Sequence, residues 1–309
     1  MSELMIDAIA LRKAFREVTA LDGVSVAVPA GTVHGLLGHN GAGKTTLVNV
    51  LTTLFPPTGG RASVAGFDVV REAAEVRRRI GVTGQFASVD EDLTGTQNLV
   101  LLGRLLGAAR REATQRAAEL LELFGLTEAA NRPVQGYSGG MRRRLDLASS
   151  LVGRPDVVFL DEPTTGLDPE SRLGMWEVVR TLVDRGTTVL LTTQYLEEAD
   201  KLADTITVLS QGRVVAAGSA AELKSRVGRR TVSATLAHAA DLGPALDTLR
   251  RAGLDPLRSG RTLTAPVESS RALAVVVRAL DDAGIEADEL GLHEPTLDDV
   301  YLTLAGARS

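Results

Sequence analysis

Residues 33–51 read VHGLLGHNGAGKTTLVNVL, and this stretch decides the fold of the chain. The apolar run from Val33 to Leu37 predicts a short buried strand. Residues 38–45, GHNGAGKT, then fit the pattern G-x-x-x-x-G-K-S/T. Apolar residues follow at a helical spacing, and these are Leu47, Val50, Leu51 and Leu54. A strand, a glycine-rich loop and a helix in this order predict an α/β fold with ligands at the strand ends.

The residue types in this loop suit a chain of phosphates. The glycines let backbone N–H groups turn inward, and the start of the following helix favours anions. Lys44 supplies a positive charge for the β- and γ-phosphates, and the Thr45 hydroxyl can ligate Mg²⁺. A glycine-rich turn that only ends a strand is the simpler alternative, but the strand and the helix together favour phosphate binding. The choice between ATP and GTP stays open.

A second apolar run ends in two adjacent carboxylates, in the segment VVFLDEPTTGLDPE at residues 157–170. Val157 to Leu160 predict a central parallel strand. Asp161 follows and can hold Mg²⁺ through water, and Glu162 can orient the attacking water or accept its proton. A plain turn before Pro163 is the alternative. Because strand ends share one edge of a parallel sheet, we expect both motifs to face one crevice.

The segment NRPVQGYSGGMRRRLDLASSLV, residues 131–152, contains a predicted helix start at Ser138. Gly139 and Gly140 expose N–H groups at the positive end of that helix, which makes a second phosphate-binding surface. An ordinary N-cap is the alternative. The three consecutive arginines at 142–144 are interpreted as a solvated helix face.

Composition limits the function further. The chain has 309 residues, 44% of them hydrophobic, a net charge of −5 and no cysteine. It therefore has no disulfide or thiolate site, and its acidity argues against binding to nucleic acid through the phosphates. The N-terminus lacks a signal-peptide pattern, and no apolar run reaches the ~18 residues of a membrane span. We expect a cytoplasmic chain, so any membrane span must come from another protein.

The pattern changes after Leu223. Residues 231–236, 261–267 and 285–292 alternate like strands, and residues 241–253 and 271–280 are helical. Thr296 and Asp299 predict a capping box for a last helix, whose apolar residues are Leu297, Val300, Leu302 and Leu304. This predicts a small α+β domain, and its two histidines, His238 and His293, do not indicate a second active site.

Five segments resemble, in order, the nucleotide-binding subunit of ATP-binding-cassette (ABC) transporters. GHNGAGKT resembles its Walker A motif, VTGQF its Q-loop, YSGGM its signature, VVFLDEP its Walker B motif and GLDPESR its D-loop. The resemblance implies a P-loop cassette at residues 1–225, with a mixed sheet and a helical subdomain at about 88–151. Residues 226–309 form the accessory domain.

The resemblance also implies the site. Two cassettes pair head to tail, and ATP lies between the Walker A motif of one copy and the signature of the other. The implied ATP-binding residues are Phe15, Gly38, His39, Asn40, Gly41, Ala42, Gly43, Lys44, Thr45, Thr46, Tyr137, Ser138, Gly139, Gly140 and Asp168. The implied Mg²⁺ ligands are Thr45, Gln85 and Asp161, and the implied catalytic residues are Glu162, Gln85 and Gln194. Phe15 would stack on adenine, although it can instead be read as a core residue.

The ending HEPTLDDVYLTLAG resembles drug-exporter ATPases of the daunorubicin-resistance type, as do TGQFASVDEDLTGTQNL and YSGGMRRRLDLA. Gln194 lies where most ABC ATPases have histidine, and this subfamily shares the glutamine. The implied protein is an ATPase at the cytoplasmic face of the membrane. As a homodimer, it would drive export of a hydrophobic drug or natural product through a separate permease. The alternative is a soluble cassette protein of translation or DNA maintenance. The single cassette and the acidic pI disfavour that reading.

Overall fold

The computed structural model describes residues 3–84, 89–227, 230–297, 299 and 300, and the chain divides into two units between Ala220 and Ala221. The strands of the first unit are β1 Leu4–Phe15, β2 Val18–Pro29, β3 Val33–Leu37, β4 Gly59–Val64, β5 Phe67–Asp68, β6 Ile80–Thr83, β7 Val157–Asp161, β8 Thr188–Thr193, β9 Thr205–Ser210 and β10 Arg213–Gly218. Its helices are α1 Lys44–Leu51, α2 Ala73–Arg79, α3 Gly95–Leu105, α4 Arg110–Leu123, α5 Gly139–Ser150, α6 Pro169–Asp184 and α7 Leu196–Leu202. Helix α8, Ala220–Val227, spans the division, and the domain boundary expected after residue 225 falls within it.

The strands of the first unit form an antiparallel and a mixed sheet. The antiparallel sheet has the order β2-β1-β4-β5, and the mixed sheet has the order β10-β9-β3-β8-β7-β6. In the mixed sheet only the edge strand β10 runs antiparallel to its neighbour among the described strands. The predicted strands at 33–37 and 157–160 are β3 and β7, so both predictions are confirmed.

The mixed sheet is buried on both faces, and the two-residue period of a strand divides β7 between two cores. Phe159 packs with α1 and the antiparallel sheet on one face. Val158 and Leu160 pack on the other face with residues of α3, α4, α5 and α6. All residues of β3, β7 and β8 are buried, and the continuous apolar run at residues 157–160 of β7 follows from this burial.

Helix α1 is shorter than its apolar spacing predicts. It ends at Leu51, and Leu54 is 65% exposed outside the helix. Thr53 takes a left-handed backbone with φ of +66°, and prolines follow at 56 and 57, which cannot continue a helix. The prediction that the helical pattern includes Leu54 is therefore wrong.

The second unit contains β11 Arg230–Leu236, α9 Leu242–Arg251, β12 Leu257–Ser259, β13 Thr262–Val267, α10 Arg271–Asp282 and β14 Ala287–His293. Its strands pair antiparallel in the order β12-β13-β11-β14. The connectivity β-α-β-β-α-β with this order is that of a ferredoxin-like unit. The predicted α+β character is confirmed. Strand β12 was missed because it has three exposed residues and no apolar alternation.

The unit has its own core, which includes Val232, Leu249 and Leu280. The predicted capping box is also present, since the Thr296 N–H donates to Asp299 and the Asp299 N–H donates to the Thr296 hydroxyl, at 2.8 and 3.2 Å. Leu302 and Leu304 lie outside the described residues. Among the described residues, no helix is both long enough and apolar enough to cross a bilayer.

Candidate nucleotide-binding and catalytic site

The glycine-rich loop between β3 and α1 borders a cavity of ≈ 440 Å³. The expected site residues that line this cavity are His39, Asn40, Gly41, Gly43, Lys44, Thr45, Thr46 and Glu162. Residues that the sequence did not single out complete the lining, namely Val18, Thr19, Ala20, Gln211 and Gly212. The loop and the end of β7 therefore meet at one cavity.

Two glycines of the loop leave no room for a side chain. Gly43 has φ of +107°, and a Cβ there would lie 2.7 Å from the carbonyl oxygen of Ala20. A Cβ on Gly38 would lie 2.6 Å from the carbonyl oxygen of Leu209. Gly38 and Ala42 are buried, so they shape the loop from behind without lining the cavity.

Lys44 is the cation of this site. It is 5% exposed, and its Nζ donates to the carbonyl oxygens of Gly38 and His39 at 2.6 and 3.3 Å. Burial lowers the pKa of Lys44, while the negative charges of Glu162 and Asp161 act against that shift. The carboxylates thus favour the charged amine that a phosphate chain requires.

The start of α1 is open to an anion. Its N-cap is Gly43, and no side chain accepts a hydrogen bond from the first turn at this cap. The first turn also carries no acidic residue. Thr45 is exposed and Thr46 is half-buried in the same turn. Uncapped N–H groups and the helix dipole together make this helix end an anion site.

The two carboxylates at the end of β7 have different environments. Asp161 is buried and accepts a short hydrogen bond from the Thr192 hydroxyl of β8. Glu162 is half-buried, and its N–H donates to the Thr192 carbonyl at 3.0 Å. The backbone of Glu162 is left-handed, with φ of +49°. Thr192, which the sequence did not flag, therefore positions both residues.

The signature and the D-loop residue lie side by side, apart from the loop cavity. Ser138 is the N-cap of α5, and its hydroxyl accepts from the Met141 N–H at 3.3 Å. Asp168 is the N-cap of α6 and accepts from the N–H and hydroxyl of Ser171, which lowers its pKa. A Cβ on Gly140 would lie 2.6 Å from that Ser171 hydroxyl, so the two helix starts touch. Gly139 has no atom within 4 Å of a Cβ position.

The Tyr137 side chain points into the protein and not toward the phosphate-binding surface expected at the start of α5. Its side chain is 4% exposed within the core of the helical segment. Its hydroxyl donates to the carbonyl oxygen of Ala129 at 2.7 Å, and burial raises the pKa of this phenol. The structure therefore uses the Tyr137 side chain for packing, which leaves only its backbone to face a ligand.

Phe15 lies at the end of β1 and is 41% exposed. Its ring meets that of Phe55 edge-on at 5.5 Å, and Lys13 Nζ lies 4.9 Å from its centroid. The reading of Phe15 as a core residue is wrong. The ring does not line the ≈ 440 Å³ cavity, but the next strand supplies Val18, Thr19 and Ala20 to it.

Gln194 is exposed in the short connection between β8 and α7. The N-cap of α7 is Tyr195, whose N–H donates to the Thr193 hydroxyl at 2.9 Å. Gln194 is therefore not the N-cap of this helix. Gln194 does not line the cavity, and Gln85 lies outside the described residues.

The arginine run at 142–144 is not simply a solvated face. The Arg143 side chain is only 14% exposed and donates to backbone carbonyls at the ends of β6 and β7. Arg144 donates to the Phe124 carbonyl, and Arg142 pairs with Glu91. The interpretation of this run as a solvated face is wrong for Arg143. Arg143 lies three residues after Gly140 and four residues before Leu147, and both of these are buried. Residues at this spacing share one face of a helix, so the sequence did contain a signal that Arg143 faces the protein interior.

Comparison with known proteins identifies the family. A family model described as ABC transporter matches residues 21–165. The chain is 54% identical to a daunorubicin resistance ATP-binding protein of Streptomyces coeruleorubidus, over 99% of this chain and 97% of that protein. It is 50% identical to a doxorubicin resistance ATP-binding protein of Mycobacterium tuberculosis, over 93% of this chain and 89% of that one. A Nod factor export ATP-binding protein of Ralstonia nicotianae is 40% identical, over 96% of this chain and 92% of that protein.

Solved structures agree in fold. The ADP conformation of an ATP-binding cassette of an ABC transporter has a TM-score of 0.66 at 26% identity, over 72% of this chain and 93% of that one. A dimeric, post-hydrolysis cassette bound to ADP and Pi has a TM-score of 0.63 at 25% identity, over 70% and 98%. The expected ABC cassette fold is thus confirmed. The chain belongs to the ABC transporter family, as an ATP-binding protein of the daunorubicin-resistance type.

Proposed function

We propose that this chain hydrolyses MgATP to drive export of a hydrophobic drug or natural product through a separate membrane permease. One observation carries the proposal, namely that Lys44, the open start of α1 and Glu162 meet at one cavity. A cation and helix N–H groups suit the phosphates, and a carboxylate beside them suits the attacking water. The drug-resistance relatives support the choice of cargo class. They give no support to a role in translation or DNA maintenance.

The residues present fit Mg²⁺. Thr45 offers an exposed hydroxyl, and Asp161 offers a carboxylate that accepts a hydrogen bond from Thr192 on one oxygen, Oδ1, and can accept more than one. The described residues contain no cluster of three His, Cys, Asp or Glu side chains that would cage a metal alone. Mg²⁺ prefers one or two protein oxygens together with phosphates and waters, which is the set that Thr45 and Asp161 allow. Gln85 is the further ligand that the family resemblance implies.

Each residue then has a defined task. Lys44 orients the β- and γ-phosphates, while bound Mg²⁺ would supply charge neutralisation. Glu162 orients a water and accepts its proton, because its backbone turn holds the carboxylate on the Lys44 side of β7. Phe15 would stack on the adenine, and Gln194 and Gln85 would contact the γ-phosphate side. These tasks remain our assignments.

A second copy of the chain and a permease complete the assembly in this proposal. Ser138, Gly139 and Gly140 do not line the cavity around Lys44 in their own chain. A head-to-tail partner would bring its signature to the phosphates, as the sandwich arrangement of the family implies. A separate permease would provide the path across the membrane. The proposed location is the cytoplasmic face of the membrane.

The decisive variant is Glu162→Gln. We expect it to bind MgATP with parental affinity and to hydrolyse it ~10²–10⁴ times more slowly, because loss of a general base costs that much. Nucleotide binding and phosphate release should be measured on the same preparations. The control is Glu122→Gln, the same chemical change at an exposed position of α4. Parental turnover in Glu162→Gln would contradict the proposed role, and failure of the chain to co-purify with any permease would contradict the export function.

A further inference from the structure

We propose that Arg143 is a positioning residue that holds the Glu162 turn in its hydrolysis geometry and ties it to the signature helix. The inference rests on the proposed function of Glu162 and adds a residue that the motifs do not include. Arg143 lies in α5, five positions after the signature serine in the sequence. Its side chain is 14% exposed.

All five N–H groups of the Arg143 guanidinium have acceptors. Nε donates to the Pro163 carbonyl at 3.0 Å, and Nη2 donates to the carbonyls of Asp161 and Glu162 at 3.0 and 3.1 Å. Nη1 donates to the Gly84 carbonyl at 2.8 Å and to Asp146 at 3.4 Å. A guanidinium has five N–H donors in a rigid plane, so this fork is fully used.

The acceptors define what Arg143 does. Three of them are the consecutive carbonyls of residues 161–163, which form the turn where Glu162 adopts a φ of +49°. A left-handed backbone in a residue with a side chain is unfavourable unless its surroundings hold it. The Glu162 N–H contacts Thr192 on one side, and Arg143 binds the carbonyl row on the other.

The fourth carbonyl extends the link to a neighbouring strand. Gly84 directly follows β6, so one side chain joins α5, the end of β6 and the end of β7. Rotation or withdrawal of α5 would therefore pull on the backbone that carries Glu162. In the sandwich arrangement the start of α5 contacts the partner's nucleotide. Arg143 thereby makes the general base of one site sensitive to the signature contact of the other.

The test compares Arg143→Lys with Arg142→Lys in the full-length assembly in which the parent hydrolyses ATP. Lysine keeps the charge but replaces the planar five-donor fork with a single ammonium. We expect Arg143→Lys to lower kcat by about 10- to 100-fold, because a catalytic group displaced by about 1 Å costs that much. The KM for ATP should change less than twofold, since Arg143 contacts no residue of the glycine-rich loop among its hydrogen-bond partners. Arg142→Lys should keep parental kcat, because the hydrogen bonds of Arg142 to described residues go to Glu91 and Gln135 and not to the Glu162 turn.

A double variant separates positioning from general support of the fold. If Arg143 acts through Glu162, then Arg143→Lys should slow a Glu162→Gln chain less than twofold in single-turnover assays. Arg143→Gln is the second variant, because an amide adds no charge of its own at position 143 if lysine prevents folding. Multiplicative losses in the double variant, or a raised KM, would overturn the inference. If both Arg143 variants keep the parental kcat while Glu162→Gln is slow, the inference about Arg143 is overturned and the proposed function stands. If Glu162→Gln keeps parental turnover, both the inference and the proposed function are overturned.

Discussion

Gln194 follows β8 at the edge where the mixed sheet presents Lys44 and Glu162. An amide can donate one hydrogen bond to a γ-phosphate and accept another from a partner chain. It stays neutral, so its contact is weaker than the charge-assisted one that a protonated histidine would make. It also lacks the titration that histidine undergoes near pH 6.5. A reaction that relies on Gln194 should therefore lack a pH limb from this position.

We expect Gln194→Ala to lower ATP turnover several-fold with little change in ATP binding, since only a γ-phosphate contact is lost. Gln194→His should keep activity and gain a pH-dependent limb near the pKa of histidine, about 6.5. Steady-state hydrolysis by the three proteins between about pH 5.5 and 8.5 checks both expectations. The control is Gln115→Ala in α4, which removes an amide from an exposed helix surface. Equal turnover in the alanine variant and the parent at every pH would refute the phosphate-contact role.

At the residue scale the sequence predicted the motif residues that line the cavity better than it predicted the residues that hold them in place. Lys44, Thr45 and Glu162 were found because their residue types are tied to a motif. Thr192 and Arg143 were missed because they act on the backbone of other segments, and such contacts have no local pattern. Three consecutive arginines look alike in sequence, yet only the structure shows that one of them meets four carbonyls.

At the element scale, β3 contains a buried histidine next to the loop. His34 is 2% exposed, and its Nε2 lies 3.0 Å from the Thr207 hydroxyl of β9. Its Nδ1 has no hydrogen-bond partner in the part of the chain that the structure describes. Burial lowers the pKa of His34 to about 4. The unfolded chain therefore binds this proton more readily than the folded chain does. The contribution of the neutral His34 ring to the free energy of unfolding is fully present above pH 6.5. It is lost as the pH falls from 6.5 toward 4.

We expect acid to destabilise the parent more than His34→Gln. A pKa near 4 in the folded state and 6.5 in the unfolded state gives a loss of about 2 kcal/mol in the free energy of unfolding between pH 7 and 5. Urea unfolding of the first unit at both pH values measures the difference, and groups common to the two proteins cancel. His238→Gln, at an exposed position, should keep the parental acid sensitivity. An equal acid loss in parent and His34→Gln would show that His34 does not titrate on unfolding.

Strands and helices were predictable where the hydrophobic pattern and the length of a segment indicated the same type of element. β3, β7 and α10 have unambiguous patterns, and their predicted and observed ranges nearly coincide. Strands β5 and β12 have two and three residues, which is too short for a period to appear. Leu54 fitted the helical spacing, but the backbone at Thr53 and the following prolines ended α1 first.

At the scale of the whole molecule, each unit has an independent apolar core. The buried residues of the first unit's cores lie within residues 6–209, and those of the second unit's core lie within residues 232–285. The described residues that line the ≈ 440 Å³ cavity all come from residues 18–212. The ferredoxin-like connectivity of the second unit was beyond the sequence, because strand order depends on pairing between distant segments.

We expect deletion of the chain from Gly228 onward to leave ATP binding within about threefold of the parent, because the phosphate cavity lies wholly in the first unit. The deletion should instead weaken dimerisation or assembly with the permease. Nucleotide titration of the truncated protein measures the first effect, and sizing and co-purification measure the second. The full-length chain with Leu249→Ala, which leaves a cavity in the second core, is the comparison. Loss of ATP binding in a folded truncation would contradict this division of tasks.

The left-handed backbone of Glu162 has a consequence for how such a chain evolves. A residue with a side chain held at φ of +49° loses on the order of 1 kcal/mol relative to glycine, which adopts that conformation freely. A laboratory selection for heat resistance alone would therefore favour glycine at position 162. A selection for growth that depends on ATP turnover would retain glutamate there. The chain is thus less stable to heat than the same fold with glycine at position 162, because its proposed catalytic residue is a glutamate in a left-handed conformation.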